Sequence, residues 1–482
     1  MIKPQAIRRA ILAAPFELDN KGEVPKPGTL FIPNAHRKAL ARDAVLVVGA
    51  RGVGKSFWTA ALSDDVLRTQ IGSAVPELEN AIVRVGYGAA PNIQAYPDRE
   101  TFKLLLSQGH EAFYVWRAVI LRWLAGHVGQ AIPSGSWKET IGWVENNPEQ
   151  YAQIIEAANA RFAANGQFGL IVFDALDRTS NDWETMNSIV RDLLRNALWL
   201  RDLSRVQAKI FLRPDQMRRT DTSFVDASKL LATMVELTWS ASDLHSMLWQ
   251  RLINAPGEHG ECLREFAGIN APQYDFFKPK GSTTNSDHQI WKLPHSFISQ
   301  RPLFYALAGD KMGKDARRGV PYVWSVSHLA DGHGWTSPRS FLAAIDMAAE
   351  DSEARYPDYE YALHYESLKR GVQKASKIRV DQVAEDDDWV PVVMNPLHGL
   401  NVPCEFSVIT DAWQQAFPDG PGQITSSQVP PQHGESWDGI RGDLERLGIL
   451  VTRMKDKRVD MPDLYRVGFG LGRKGGVAPR MG

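Results

Sequence analysis

Eight residues, Gly49-Ala50-Arg51-Gly52-Val53-Gly54-Lys55-Ser56, constrain this chain more than any others, because they fit GxxxxGK[ST] without a departure. They lie between a short apolar run, AVLVV (44–48), and a stretch with helical spacing, FWTAALSDDVLR (57–68). Strand, glycine loop and helix are the setting in which the pattern predicts a phosphate-cradling loop. Glycines let the backbone wrap closely and turn its N–H groups inward. The helix that begins near Lys55 adds the positive end of its dipole. The Lys55 ammonium is then expected at the β- and γ-phosphates of ATP, and the Ser56 hydroxyl on Mg²⁺. The expected nucleotide-binding set is Gly49, Arg51, Gly52, Val53, Gly54, Lys55, Ser56 and Phe57.

The surrounding pattern predicts an α/β core. Buried strands are expected at 44–48, at AIVRVGYG (81–88), at GLIVF (169–173) and at AKIFLRP (208–214). Helices are expected around 110–128, 149–164 and 183–203. This alternation predicts a three-layer P-loop core with a parallel sheet. The expected division is an irregular lead-in (1–40), broken by Pro25, Pro27 and Pro33, then the ATPase core (41–240). A helical lid or extension (241–384) and a winged-helix-like domain with a basic tail (400–482) follow. Glu385-Asp386-Asp387-Asp388 reads as a linker between the last two. A helix at 435–447, then GILVTRM, a charged turn and VDMPDLYRV, give the winged-helix outline.

A P-loop site needs a carboxylate to support the metal and another group to orient the lytic water. LIVFDALD supplies both: Asp174 at a strand end for Mg²⁺, and Asp177 for the water, or else as a helix-capping acid. Arg178 reads as an intersubunit finger or as a surface arginine. Arg213 ends the next strand, where it could sense the γ-phosphate or make a structural ion pair. Arg339, heading a helix beyond the core, could close over nucleotide or face solvent.

GARGVGKS, DALD and the Arg213-Pro214 pair together resemble the STAND branch of AAA+-related P-loop ATPases, with Arg178 a departure where an acid is usual. Origin-recognition-type AAA+ ATPases, which carry a winged helix after the lid, are similar too. The resemblance covers about residues 40–240 and implies an ATP-hydrolysing switch or motor that oligomerises or works with a separate effector protein. Many bacterial proteins of this kind act in antiviral defence. The alternative is a DNA-binding ATPase, a loader or transposition-type regulator.

Composition narrows the partners. A net charge of −1 offers no global attraction for a polyanion, so any DNA site must be local. The local candidate is the end of the chain, where residues 441–482 hold ten Lys/Arg against five Asp/Glu. Lys455, Lys457 and Arg458 fall at the expected hairpin tip, with Arg473 and Lys474 beyond; charge there also keeps a hairpin soluble. Two cysteines, Cys262 and Cys404, form no disulfide framework or metal spacing. The apolar stretch 112–128 carries Arg117, Arg122 and His127, which excludes it as a membrane span. The expectation is a cytoplasmic protein.

Overall fold

The computed structural model describes residues 2–16, 24–219, 222–274, 290–293, 298, 300–427 and 430–473. The chain divides into two compact units. One is formed by Ile32–Thr238 with Asn20–Pro25. The other is formed by Met1–Asp19, Lys26–Phe31 and Trp239–Gly482.

The first unit holds five strands: β1 Leu46–Gly49, β2 Ala81–Tyr87, β3 Phe168–Phe173, β4 Val206–Leu212 and β5 Val235–Leu237. Their order across the sheet is β2-β3-β4-β1-β5, and every neighbouring pair is parallel. β1 and β3 are continuous apolar runs, as suits strands of a parallel sheet covered on both faces. Every residue of β3 and β4 is buried. That includes Lys209, whose ammonium donates to the carbonyls of Ala39 (2.6 Å), Ala41 (3.0 Å) and Ala44 (2.7 Å) just ahead of β1. Burial pulls its pKa down to about 7. Three carbonyls nevertheless match the three donors of an ammonium, where a neutral amine offers only two.

The crossover from β2 to β3 is long and carries the helices Arg99–Ser107, Ala112–Val128, Trp137–Asn146 and Pro148–Ala164. The helix Ala112–Val128 buries most of its length, so it is apolar nearly all round without meeting lipid. Its cations are absorbed by rings: Arg122 lies 3.8 Å from the Trp137 centroid, and Arg117 lies 4.7 Å from that of Tyr151. Trp116 sits at the centre, within 5.9 Å of Tyr87, Phe102 and Phe173. Each such pair adds about 0.5–1.5 kcal/mol beyond area burial.

The second unit is helical. The lead-in expected to be irregular begins with the helix Pro4–Leu12, entered through a proline at its first turn. Arg8 of this helix is fully buried. It donates to the Ala362 carbonyl (2.8 Å), to Glu353 (2.9 Å) and, at longer range, to the carbonyls of Tyr356, Pro357 and Tyr361. One side chain thereby staples the turn between the helices Pro338–Arg355 and Tyr365–Asp386. The expected acidic linker is not one. Glu385 and Asp386 complete the helix Tyr365–Asp386, and Asp388 accepts from the Ser427 amide (2.7 Å) and hydroxyl (2.6 Å). Toward the C-terminus the helix Trp437–Arg446 precedes an antiparallel hairpin of β6 Val451–Thr452 and β7 Val459–Asp460. Among the described residues no helix is long and apolar enough to cross a membrane.

Candidate nucleotide site

β1 ends at Gly49, and the loop turns to enter the helix Lys55–Ser63. Two glycines are required here by geometry. A side chain on Gly49 would meet Val53 Cγ1 at 2.6 Å, and Gly54 has a left-handed φ of 110° that admits a residue with Cβ only under strain. Val53 is buried, anchoring the loop from beneath. Arg51 is half-buried. Phe57 packs edge-on against Trp58, with ring centroids 5.2 Å apart.

Lys55 Nζ donates to the carbonyls of Gly49 (2.7 Å) and Ala50 (3.1 Å), so the loop holds its own lysine. Burial lowers the Lys55 pKa to about 8, while nearby Asp174 and Asp177 oppose the shift and Arg213 reinforces it. Ser56 Oγ donates to Asp174 Oδ2 at 2.7 Å. Because β4 separates β1 from β3, this bond joins the loop after one strand to the acid after another across the intervening strand. Asp174 is 3% exposed. Burial raises its pKa above the ordinary carboxylate value, against the Ser56 hydroxyl, Lys55 and the Ala175 amide, which favour the anion.

Ala175 adopts a left-handed φ of 55° and breaks the strand, and the short turn Leu176–Arg178 follows. Asp177 therefore lies in a one-turn 3-10 segment and does not cap a long helix; the helix Trp183–Arg201 is capped by Asp182 instead. Arg213 directly follows β4, the strand between β1 and β3. It makes a two-pronged ion pair with Asp215 (3.1 and 2.8 Å) and lies 3.6 Å from Asp177. The structure thus gathers Lys55, Ser56, Asp174, Asp177 and Arg213 at one end of the sheet. Arg178 is exposed, with one long contact to the Ala89 carbonyl. Arg339 belongs to the helical unit, as the second residue of the helix Pro338–Arg355.

Sequence reasoning missed His36. Its Nδ1 accepts from the Trp58 indole N–H (3.1 Å) and its Nε2 donates to the Thr238 carbonyl (3.0 Å). Burial pulls its pKa down to about 4, so the ring is neutral and each nitrogen has one role. It ties the helix bearing Lys55 and Ser56 to the residue that follows β5. A lone histidine outside any spacing pattern gave no signal. No group of three or more metal-ligating side chains occurs among the described residues; the hydroxyl–carboxylate pair Ser56–Asp174 is a hard-oxygen set suited to Mg²⁺ with waters and phosphates completing the shell.

No family model matches this chain, and no curated protein matches it in sequence. Solved structures similar to it include the Aeropyrum pernix ORC2 protein in its ADPNP–ADP complexes, at 12% identity over 87% of this chain and 84% of that one, with a TM-score of 0.37. The Aeropyrum pernix ORC1 protein in complex with DNA is 13% identical over 88% and 84%, with a TM-score of 0.34. The ADP form of ORC2 is 12% identical over 90% and 92%, with a TM-score of 0.32. At these scores the likeness adds no argument, and the assignment of an α/β P-loop fold rests on this chain's own loop, strand order and acid positions.

Proposed function

We propose that the chain binds ATP with Mg²⁺ and hydrolyses it, using the energy as a regulatory switch. The observation that carries this reading is the 2.7 Å bond from Ser56 to Asp174, which brings the loop hydroxyl and the strand-end carboxylate to one point. Ser56 and Asp174 would hold Mg²⁺, which would supply charge neutralisation for the phosphates. The loop N–H groups take phosphate oxygens. Lys55 exchanges two carbonyl acceptors for phosphate oxygens, which are stronger partners because they carry charge. Asp177 orients the attacking water and takes its proton, while Arg213, tethered to Asp177 and Asp215, reads the γ-phosphate. The test is phosphate release by the purified chain with and without Mg²⁺. Release that requires Mg²⁺ and is lost in Ser56→Ala supports the reading; release indifferent to Ser56→Ala sinks it.

For the partner, we propose duplex DNA met through a local pair of lysines, with a separate effector protein as the other reading. The hairpin tip between β6 and β7 holds exposed Met454, Lys455 and Lys457, with Met454 84% exposed. Arg458 is committed to Asp456 at 2.6 Å, so the offered cations are the two lysines. Lys474 lies outside the described residues. Reversing Lys455 and Lys457 to Glu should abolish duplex binding at low salt while leaving phosphate release unchanged, because phosphate contacts dominate such affinity. Absence of duplex binding by the parent at low salt returns the hairpin to a protein-contact or solubility role.

A further inference from the structure

Arg213 is held at both ends by polar residues of the run Arg213-Pro214-Asp215-Gln216. The Met217 N–H donates to the Arg213 carbonyl at 3.0 Å, so Arg213 opens the short helix Pro214–Arg219. Pro214 fixes the first helical φ and has no N–H to satisfy there. Gln216 Oε1 accepts from the Arg213 N–H (2.9 Å), the backward half of a capping box, and Gln216 is 3% exposed. The main chain of Arg213 is therefore pinned before its side chain begins.

The tip is pinned by Asp215. Its two carboxylate oxygens accept from Arg213 Nε (3.1 Å) and Nη2 (2.8 Å), the forked geometry in which guanidinium and carboxylate match edge to edge. The side chains of Arg213 and Asp215 are only 12% and 8% exposed. Rotation of the planar guanidinium is thereby restricted, and its remaining nitrogen, Nη1, is turned toward Asp177 Oδ2 at 3.6 Å. An acid in the first turn of a helix complements the dipole wherever its oxygens point, but here both oxygens accept from one guanidinium. Asp215 also lies within electrostatic reach of Lys55: burial lowers the Lys55 pKa, and Asp174, Asp177 and Asp215 oppose the fall.

Asp215 thus acts on phosphates at this site in two opposed ways. Its charge repels them, and its fork aims a cation at them. Resting on the reading of this loop as an ATP site, we infer that the second effect governs. Asp215 is a positioning residue that presents Arg213 to the γ-phosphate, and so sets the preference of the site for a nucleoside triphosphate over a diphosphate. The reason is one of magnitude. The Asp215 charge is neutralised by the arginine it holds, whereas a misaligned guanidinium forfeits a directional, charge-assisted bond. A lysine at this position could not be aimed in the same way, since an ammonium offers no planar edge.

The experiment measures, by calorimetry with Mg²⁺, the affinity of the full chain for ADP and for a β,γ-imido analogue of ATP, and takes the ratio. Removing charge alone by Asp215→Asn would raise the preference for triphosphate, which carries more negative charge than diphosphate. Loss of positioning should instead lower it about tenfold, the worth of one charge-assisted bond. In an Arg213→Ala background, Asp215→Asn should lower the preference no further, because Asp215 acts through Arg213. Should Asp215→Asn not fold, Arg213→Lys keeps the charge, removes the fork and should lower the preference to a similar degree. A preference that rises or stays unchanged in Asp215→Asn, falls equally with Arg213 absent, or survives Arg213→Lys overturns the inference, while nucleotide binding by the parent still supports the ATP site. A parent that binds neither nucleotide contradicts the ATP site itself and this inference with it.

Discussion

Replacing Asp174 by Asn should make the protein more stable and its chemistry worse. The carboxylate is 3% exposed and receives one hydroxyl at 2.7 Å, with Lys55 and the Ala175 amide nearby, yet its pKa still lies above the ordinary value. Burial therefore outweighs its partners. A raised carboxyl pKa means the unfolded chain gives up its proton first as pH rises. Stability is then lost between pH 3.8 and the folded-state value and stays lost at neutral pH. An amide of the same shape still accepts from Ser56 but carries no charge to desolvate. Relieving an under-compensated buried charge is worth on the order of 1–2 kcal/mol. For a unit of this size that is a rise of roughly 2–8 °C in Tm without nucleotide. The same change removes an anion from beside a divalent cation. Unit charges about 4 Å apart interact by about 4 kcal/mol at an effective dielectric near 20, so half-saturation by Mg²⁺ should rise at least about hundredfold. Differential scanning calorimetry and a Mg²⁺ titration of phosphate release read the two effects. A lower Tm for Asp174→Asn, or an unchanged Mg²⁺ requirement, would refute the account of this carboxylate.

Asp177→Asn should keep ATP affinity within about twofold and slow hydrolysis by about 10²–10⁴, since an amide cannot take the water's proton; single-turnover phosphate release measures it, and parental turnover would reduce Asp177 to a partner of Arg213. Arg8→Met should destabilise the helical unit by about 2–4 kcal/mol, because the buried Ala362 carbonyl loses its donor and Glu353 its ion pair. Urea unfolding followed by circular dichroism checks this, and a change under about 0.5 kcal/mol would deny the staple its role.

The site was far more legible in the sequence than the parts that frame it. GxxxxGK[ST] is readable because only glycines permit Gly54's left-handed φ and Gly49's close approach to Val53. β3 announced itself as an unbroken apolar run and β4 as a mostly apolar one interrupted by Gln207 and Lys209, and Asp174 and Arg213 followed from their ends. β5 was invisible: three residues, Val235–Leu237, with only Leu237 buried, carry no pattern. The prolines at 25, 27 and 33 masked the helix Pro4–Leu12, whose order comes from Arg8 reaching carbonyls some 350 residues away. The acidic run 385–388 read as a solvated linker because a sequence does not reveal that Asp388 receives Ser427 from 39 residues on. His36 escaped for the same reason, since a single polar residue gains meaning only from partners brought close by folding.

The central claim is that this loop binds ATP, and calorimetry on the parent and Lys55→Ala in the presence of Mg²⁺ tests it most directly. Lys55 donates to the Gly49 and Ala50 carbonyls, and the proposal has it exchange them for phosphate. Charge-assisted hydrogen bonds contribute about 1.5–3 kcal/mol each, so its loss should weaken ATP binding at least about hundredfold, with the melting curve of the nucleotide-free protein intact. Equal affinity in the two proteins, or no heat of binding from the parent at millimolar ATP, would contradict the account.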